Sequence, residues 1–205
     1  MGFSIGGAKS FNNQTVTAAM FKEVCLNSTA MELHNCDVEG HIDCHVPFAA
    51  TDSFIPSLNA YNNDFEMAEL DPNLVRIEHT TINELSLSSC EVCDIIDESH
   101  VKNFICFGHA NVKFKSEIDV MKVMIPGTVN IYDATINQLH VYGTVIINHA
   151  KVHELYVHLG GRVFTADPLL HIQGDRAIAE GYVEMTTEDP YVFTPFSNKM
   201  RYYYG

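Results

Sequence analysis

The feature that most constrains the fold is an internal repeat in the second half of the chain. Residues 128–143 and 144–158 align position for position, with a step of 16 residues. In each copy the apolar residues come in pairs two apart, and the pairs recur every five residues: Val129/Ile131, Ala134/Ile136 and Leu139/Val141, then Val145/Ile147, Ala150/Val152 and Leu155/Val157. A spacing of two puts both side chains of a pair on one face of a β-strand, and the fivefold step requires a turn between pairs. The repeat therefore predicts a coil with three short sides, each pointing two residues inward.

The composition of the repeat favours strands over helices. Helical spacing fits the apolar positions worse, and the Val, Ile and Thr content is typical of strands. Stacked repeats bury a continuous core that one repeat cannot bury alone. The sequence thus predicts an all-β fold, a single-stranded β-solenoid (β-helix) with three-sided coils of about 16 residues, and a length of 205 residues suits one such domain.

The third pair of each coil can be followed along the chain: Leu85/Leu87, Phe104/Cys106, Val123/Ile125, Leu139/Val141, Leu155/Val157 and, loosely, Leu170/Ile172. The spacing between successive pairs is uneven in the first coils, which indicates bulges or longer corners. A solenoid tolerates these because an insertion at a corner stays outside the core. Residues 31–38 show the same pair spacing, with Val24/Leu26 before them and Ile42/Cys44 after them. We therefore expect an N-terminal segment over residues 1–14 and the solenoid over residues 15–174.

Two segments do not follow the repeat. Prolines and an Asn-rich stretch predict an inserted loop near residues 47–72, since Pro removes a ladder donor and Asn favours turns. After Gly174 the repeat stops, and residues 175–205 are predicted to form a tail that caps the last coil or docks on another subunit. Its aromatic residues are the candidate interaction residues: Tyr182, Tyr191, Phe193, Phe196, Tyr202, Tyr203 and Tyr204.

Charge and targeting signals narrow the function classes. Lys plus Arg total 12 against 26 Asp plus Glu, and a net charge of -14 opposes the phosphate backbone, so we expect no nucleic-acid partner. No run of 18 apolar residues occurs, and the N-terminus lacks the basic start and apolar block of a secretory signal. Most of the six cysteines stand where a Val or Ala would serve equally well, and buried thiols that behave as small hydrophobes suit a reducing compartment. We expect a cytoplasmic protein without a membrane partner.

Histidine and cysteine are densest in two segments, residues 41–45 and 90–109. Specific zinc sites combine two closely spaced ligand couples, and no second couple accompanies either segment at a recognised distance. Cys90 also stands where a small inward residue is expected, with Val92 two residues on. We therefore predict that the chain binds no metal and no cofactor.

Four histidines occupy outward positions of adjacent coils: His140, His149, His153 and His158. One of them could act as a general base if a carboxylate such as Glu154 oriented it. The sequence pairs none of them with a nucleophile, and a regular column lacks the cleft that perturbed catalytic groups need. We predict a solvated face, no catalytic residue and no enzymatic activity.

Two families share parts of this pattern. Residues 38–44 and 141–147 resemble the coils of bactofilins, bacterial polymer-forming proteins built on a β-helix, and the resemblance extends over residues 75–174. It implies polymerisation through stacked coil ends, without enzymatic activity or nucleotide. The spacing of Cys36/Val38, Ala134/Ile136 and Ala150/Val152 is similar to that of pentapeptide-repeat proteins. Their coil needs four such units, and the present pattern favours a triangular coil over a square one.

The functional expectation is a structural or assembly protein whose partner is itself, as a homo-oligomer or polymer. The alternative is an acidic binding module, a DNA-mimic decoy or an adaptor, that engages a basic protein. Its acidic surface would include Glu66, Glu69, Asp71, Asp94, Asp97, Glu98, Glu117 and Asp119.

Overall fold

The chain is an all-β solenoid of about eight turns, with about 18 residues per turn. The computed structural model describes residues 8–61, 74–88, 91–165, 176–179, 182–186 and 193–194. The predicted fold class is confirmed. The step of 16 residues holds for the turn that pairs Thr128 with Thr144, whereas His100 pairs with Glu117 and Glu117 with Thr135, steps of 17 and 18.

One sheet forms the first side of the column. Its strands are β1 (Lys9–Asn12), β3 (Met31–His34), β6 (Phe48–Thr51), β8 (Leu74–Glu78), β10 (Val92–Ile96), β12 (His109–Lys113), β14 (Thr128–Tyr132), β16 (Thr144–Asn148), β18 (Arg162–Thr165), β20 (Tyr182–Thr186) and β21 (Phe193–Thr194). They pair in that order, in parallel except for β21, which is antiparallel to β20.

The other sheet forms the second and third sides. Its strands are β2 (Thr15–Thr17), β4 (Asp37–Glu39), β5 (His41–Cys44), β7 (Phe54–Ala60), β9 (Thr81–Leu87), β11 (His100–Cys106), β13 (Glu117–Val123), β15 (Thr135–Val141), β17 (Lys151–Val157) and β19 (Arg176–Ala179). In β15 the inward residues Ile136 and Leu139 are three apart, and the ladder skips Asn137 between them. The long strands therefore bend at their middle and supply two sides each.

The core consists of the inward pairs. In the clean repeat, all twelve predicted inward residues from Val129 to Val157 are buried. Their neighbours across the ladder are the equivalent residues of the next turn, for example Ile136 and Val152. The predicted register of this region is confirmed.

The corner after the first side depends on residues in the left-handed conformation. Successive turns use Asn35, Asp52, His79 and their equivalents, with φ between 46° and 64°. Asn, Asp and His adopt this conformation more readily than other side chains. From the second turn on, the last left-handed residue is followed by a small, buried residue. Where that residue is Ser or Thr, its hydroxyl can accept a bond from the turn before: the Cys36 N–H donates to Ser53 Oγ at 3.0 Å.

Glycines line the corner between the third and first sides. In Gly143, an added Cβ would lie 2.4 Å from the Gly127 carbonyl oxygen and 2.6 Å from that of Met124. Gly108, Gly127 and Gly161 are equally crowded by backbone. The coils can approach each other here only because these positions lack a side chain.

A single helix replaces the third-side strand of the first turn. Helix α1 (Ala18–Cys25) follows β2, and Thr17 caps it by accepting a bond from the Met20 N–H at 3.3 Å. It contacts β2 and β5, and its Phe21 packs edge-on against Phe48 with ring centroids 6.0 Å apart. The predicted strand pair Val24/Leu26 is wrong, since Val24 lies in this helix and Leu26 ends it.

The predicted loop near residues 47–72 is too long. Strands β6 and β7 occupy residues 48–51 and 54–60, and residues 62–72 lie outside the described residues. Pro56 disrupts nothing because it stands at the bend of β7, where the ladder to β9 skips a residue. Proline is tolerated where no ladder donor is needed.

Two further register predictions need correction. The third-side pair between Phe104/Cys106 and Leu139/Val141 is Met121/Val123, and Ile125 lies at the corner, 66% exposed. In β10 the inward residues are Cys93 and Ile95, with Val92 half-buried, while Cys90 lies outside the described residues.

The column is also longer than predicted at both ends. Within the described residues it begins at Lys9, because β1 pairs in parallel with β3, and it continues past Gly174, because β19 and β20 extend both sheets. Leu155 pairs with Ala177, while Leu170 and Ile172 lie outside the described residues. The longer turns hid these strands, since β17 to β19 spans 22 residues where the repeat suggests 16.

Candidate functional site

The N-terminal end of the column carries open strand edges. Within the described residues, β1 pairs only with β3, and β2 only with β4. Lys9 and Asn13 donate their N–H groups towards the second turn, to the carbonyls of Ala30 and His34. The backbone N–H and C=O groups of successive residues in a parallel strand point to opposite sides. The N–H and C=O groups of Ser10 and Asn12 therefore point away from β3, to the outer edge of β1.

The third side of the same end is closed. In the described part of the chain, strand β5 has one ladder partner, β7, and helix α1 contacts it. A helix satisfies its backbone groups internally and offers no ladder to a further strand. In the described part of the chain, the N-terminal end of the column thus leaves the outer edges of β1 and β2 unpaired and covers β5 with α1.

The C-terminal end holds two of the seven predicted interaction residues. Tyr182 begins β20, opposite Arg162, and Phe193 begins β21, opposite Thr186. Pairing with β21 covers part of the outer edge of β20 with an antiparallel strand. Five of the predicted residues lie outside the described residues: Tyr191, Phe196, Tyr202, Tyr203 and Tyr204.

Two of the outward histidines, His140 and His158, form one cluster, and the other two lie outside it. His140 Nδ1 lies 3.2 Å from His158 Nε2, and His158 stacks on Tyr142 with centroids 4.0 Å apart. His140 stacks on Tyr156 at 4.6 Å. His149 contacts Tyr132 edge-on, and His153 is exposed at the bend of β17; neither belongs to this cluster.

In this cluster, the rings of His140 and His158 stack on tyrosine rings and on each other. Burial, and next the charges of His158 and Lys122, lower the pKa of His140. Glu154, the carboxylate proposed to orient a base, accepts a hydrogen bond from the Tyr156 hydroxyl at 2.9 Å.

A thiol pair lies where α1 meets the solenoid. The thiol of Cys25, at the end of α1, lies beside that of Cys44 in β5, and its Sγ lies 3.8 Å from His45 Nδ1. The Cys44 thiol donates to the Val46 carbonyl at 3.2 Å. The side chain of Cys44, then the backbone and charge of His45, lower the pKa of Cys25 to about 6 despite the opposing effect of burial. The side chain of Cys25, and burial, raise the pKa of Cys44 well above its ordinary value. Sequence reasoning missed this pair because it did not predict the helix that brings Cys25 to Cys44.

The second Cys/His segment does not converge. Cys93 and Cys106 are fully buried core residues, and burial raises the pKa of both thiols, that of Cys106 to about 12. His100 lies on the outer face, 3.2 Å from Asp119, and His109 is exposed. Among residues that the structure describes, no three His, Cys, Asp or Glu side chains are placed to hold a metal ion.

The outer face of the third side has a shallow polar groove. Its volume is about 580 Å³, and its lining includes His41, Ser57, Asn59, Glu84 and Lys122. His41 lies 2.8 Å from the Ser57 hydroxyl and 3.2 Å from Asp43, so the polar groups at one end bond to each other.

Comparisons with known proteins found no matching family model, no matching curated protein and no matching solved structure. In the part of the chain that the structure describes, α1 is the one helix, and it is too short to cross a membrane.

Proposed function

We propose that this chain is a non-enzymatic structural protein of the cytoplasm that associates with a second copy of itself through the N-terminal end of its β-solenoid. The observation that carries the proposal is the pair of open edges, β1 and β2, each with one ladder neighbour among the described residues. Unpaired N–H and C=O groups along a strand are a template for another strand. The bactofilin resemblance, with its polymerisation through coil ends, points the same way.

The two ends favour a closed assembly over an open polymer. Filaments need a heterologous contact between opposite ends, whereas a contact between two identical ends closes on itself. The antiparallel β21 partly covers the first side at the C-terminal end, whereas β1 at the N-terminal end has no strand on its outer edge among the described residues. A head-to-head dimer therefore uses the end at which the outer edge of the first side is uncovered in the described residues.

The absence of a catalytic role is part of the proposal. The histidines best placed to act as bases, His140 and His158, stack on tyrosines and bond to each other. The five described cysteines are free thiols, which supports a reducing, cytoplasmic setting.

The test blocks the outer edge without touching the core. In a Ser10→Pro/Asn12→Pro variant, both outward N–H groups are lost, while proline is tolerated on an edge strand. Ser10→Ala/Asn12→Ala keeps the N–H groups and serves as the matched control. We expect sedimentation velocity to show a concentration-dependent dimer for the parent and the alanine variant, and a monomer for the proline variant. A parent chain that stays monomeric throughout the concentration series overturns the proposal.

The alternative, an acidic module for a basic partner, is supported by the net charge of -14. Two of its described carboxylates have close partners: Asp94 accepts from Asn111 at 2.7 Å, and Glu98 from Lys115 at 3.5 Å. Glu66, Glu69 and Asp71 lie outside the described residues. Such pairing reduces the charge that a partner meets. Salt-sensitive binding of the monomer to polylysine, with no self-association, would favour the alternative.

A further inference from the structure

The thiol pair at the end of α1 differs from every other described cysteine in its surroundings. Cys25 contacts a second thiol, Cys44, and an imidazole, His45, in one place. The two thiols belong to different elements, the helix that closes the third side and the strand it covers. A bond between them would tie those two elements together.

The same chain contains a matched pair without these features. Cys93 and Cys106 both lie inside the column, among the apolar side chains of the core. Burial raises the pKa of each, which keeps them protonated and unreactive. Any difference in reactivity between the two pairs therefore reports the local environment.

We propose that Cys25 and Cys44 are a thiol modification site at which a small peroxide produces an intramolecular disulfide that fastens α1 to β5. This inference does not depend on the proposed function, since its readout is the covalent state of the two sulfurs.

The chemistry balances with hydrogen peroxide as the oxidant. The Cys25 thiolate attacks one peroxide oxygen, the O–O bond breaks, and the departing hydroxide takes up a proton to become water, leaving a sulfenic acid on Cys25. Cys44 sulfur then attacks the sulfenic sulfur, the S–O bond breaks, and hydroxide leaves with the Cys44 proton as a second water. The two thiols supply the two electrons that reduce the peroxide.

The Cys25 thiolate is available at neutral pH because the pKa of this thiol is about 6. Cys25 is 2% exposed, but it ends α1 and precedes Leu26, which is 64% exposed. Helix ends fray, so a molecule of the size of peroxide reaches the last turn more readily than it reaches the interior of the column.

The first experiment needs no variant. The folded protein is treated with hydrogen peroxide, quenched, unfolded in an alkylating agent and mapped by mass spectrometry. We expect the alkylatable thiols to fall from six to four, with a peptide cross-link between residues 25 and 44 and with Cys93 and Cys106 fully alkylated. The proposal would be overturned if Cys93 and Cys106 lost alkylatable thiol as fast as Cys25 and Cys44. It would also be overturned if cross-links formed only between molecules, or if no thiol were lost.

Two variants separate the roles within the pair. Cys44→Ser should stop at the sulfenic acid, which dimedone traps on Cys25, whereas Cys25→Ser should leave Cys44 alkylatable after the same treatment. His45→Gln should slow the loss of thiols about tenfold, since the imidazole favours the thiolate. Trapping on Cys44 in the Cys25→Ser variant, at the parent rate, would reverse the assignment of the attacking sulfur.

Discussion

Val152→Asp tests the register of the column most directly. Val152 is 1% exposed, in the second side of β17, and its ladder neighbour is the equally buried Ile136. Lys151, the preceding residue of the same strand, is exposed. Because side chains of a strand alternate between faces, Lys151→Asp introduces the same group on the opposite face and is the matched control.

The expected magnitude follows from what each face loses. Burying a valine side chain stabilises a fold by about 1.5–3 kcal/mol, all of which is lost in Val152→Asp. The aspartate must also be buried unpaired or take up a proton, which costs several kcal/mol more. We expect the free energy of unfolding to fall by about 4 kcal/mol or more, against less than about 1 kcal/mol for Lys151→Asp.

Urea unfolding followed by circular dichroism measures both changes, provided that the slope of the transition stays constant between variants. Asn137 makes a poorer control, because its amide donates to Asp119 at 3.0 Å and an aspartate there would face that carboxylate. Equal midpoints for Val152→Asp and Lys151→Asp would refute the assigned register.

Three other perturbations probe the corners and the histidine ladder. Gly143→Ala forces a Cβ to within 2.4 Å of a carbonyl oxygen, and urea unfolding should show a loss of about 2 kcal/mol or more; unchanged stability would refute the close approach of the coils. Lys115 adopts a left-handed conformation with φ of 64°, so Lys115→Gly should stabilise the fold by roughly 0.5–1 kcal/mol. Lys113→Gly in strand β12 should destabilise the fold by a similar amount. Changes of the same sign in the free energy of unfolding of the two variants would contradict the corner assignment. The lowered pKa of His140 means that the unfolded chain binds its proton first, so stability should fall as the pH drops through about 6.5, and His140→Gln should reduce that slope in thermal melts at a series of pH values.

The repeat could be predicted from the sequence because its signal is purely periodic. Between residues 128 and 158, pairs two apart and a step of five leave one arrangement of strands, and every predicted inward residue there is buried. The same rule failed at Val24/Leu26, where a spacing of two concealed a helix with Phe21 and Cys25 as its buried face. The spacing of four between those two residues, after the capping Thr17, was the available helix signal.

Other features depended on context that a periodic pattern does not carry. Pro56 argues against a strand unless the skipped position at the bend of β7 is known. The contact between Cys25 and Cys44 requires α1 to lie against β5, which no spacing in the sequence specifies. The corners are easier to predict from the sequence, because Asp133 and His149 each precede a small residue and this recurrence indicates a left-handed turn.

Helix α1 links the two proposals through geometry. While it covers β5, the described part of the N-terminal end presents two open edges, and a second copy meets a surface with one closed side. If α1 left its place, the β5 edge would join those of β1 and β2, and all three sides would be open to further strands. Fastening α1 through Cys25 and Cys44 opposes that change, because a cross-link between the helix and the strand removes the open states from the ensemble. The thiol site therefore lies on the closed third side of the column, whereas the proposed association uses the edges of β1 and β2. Oxidation should preserve a small closed assembly and should not produce a larger one.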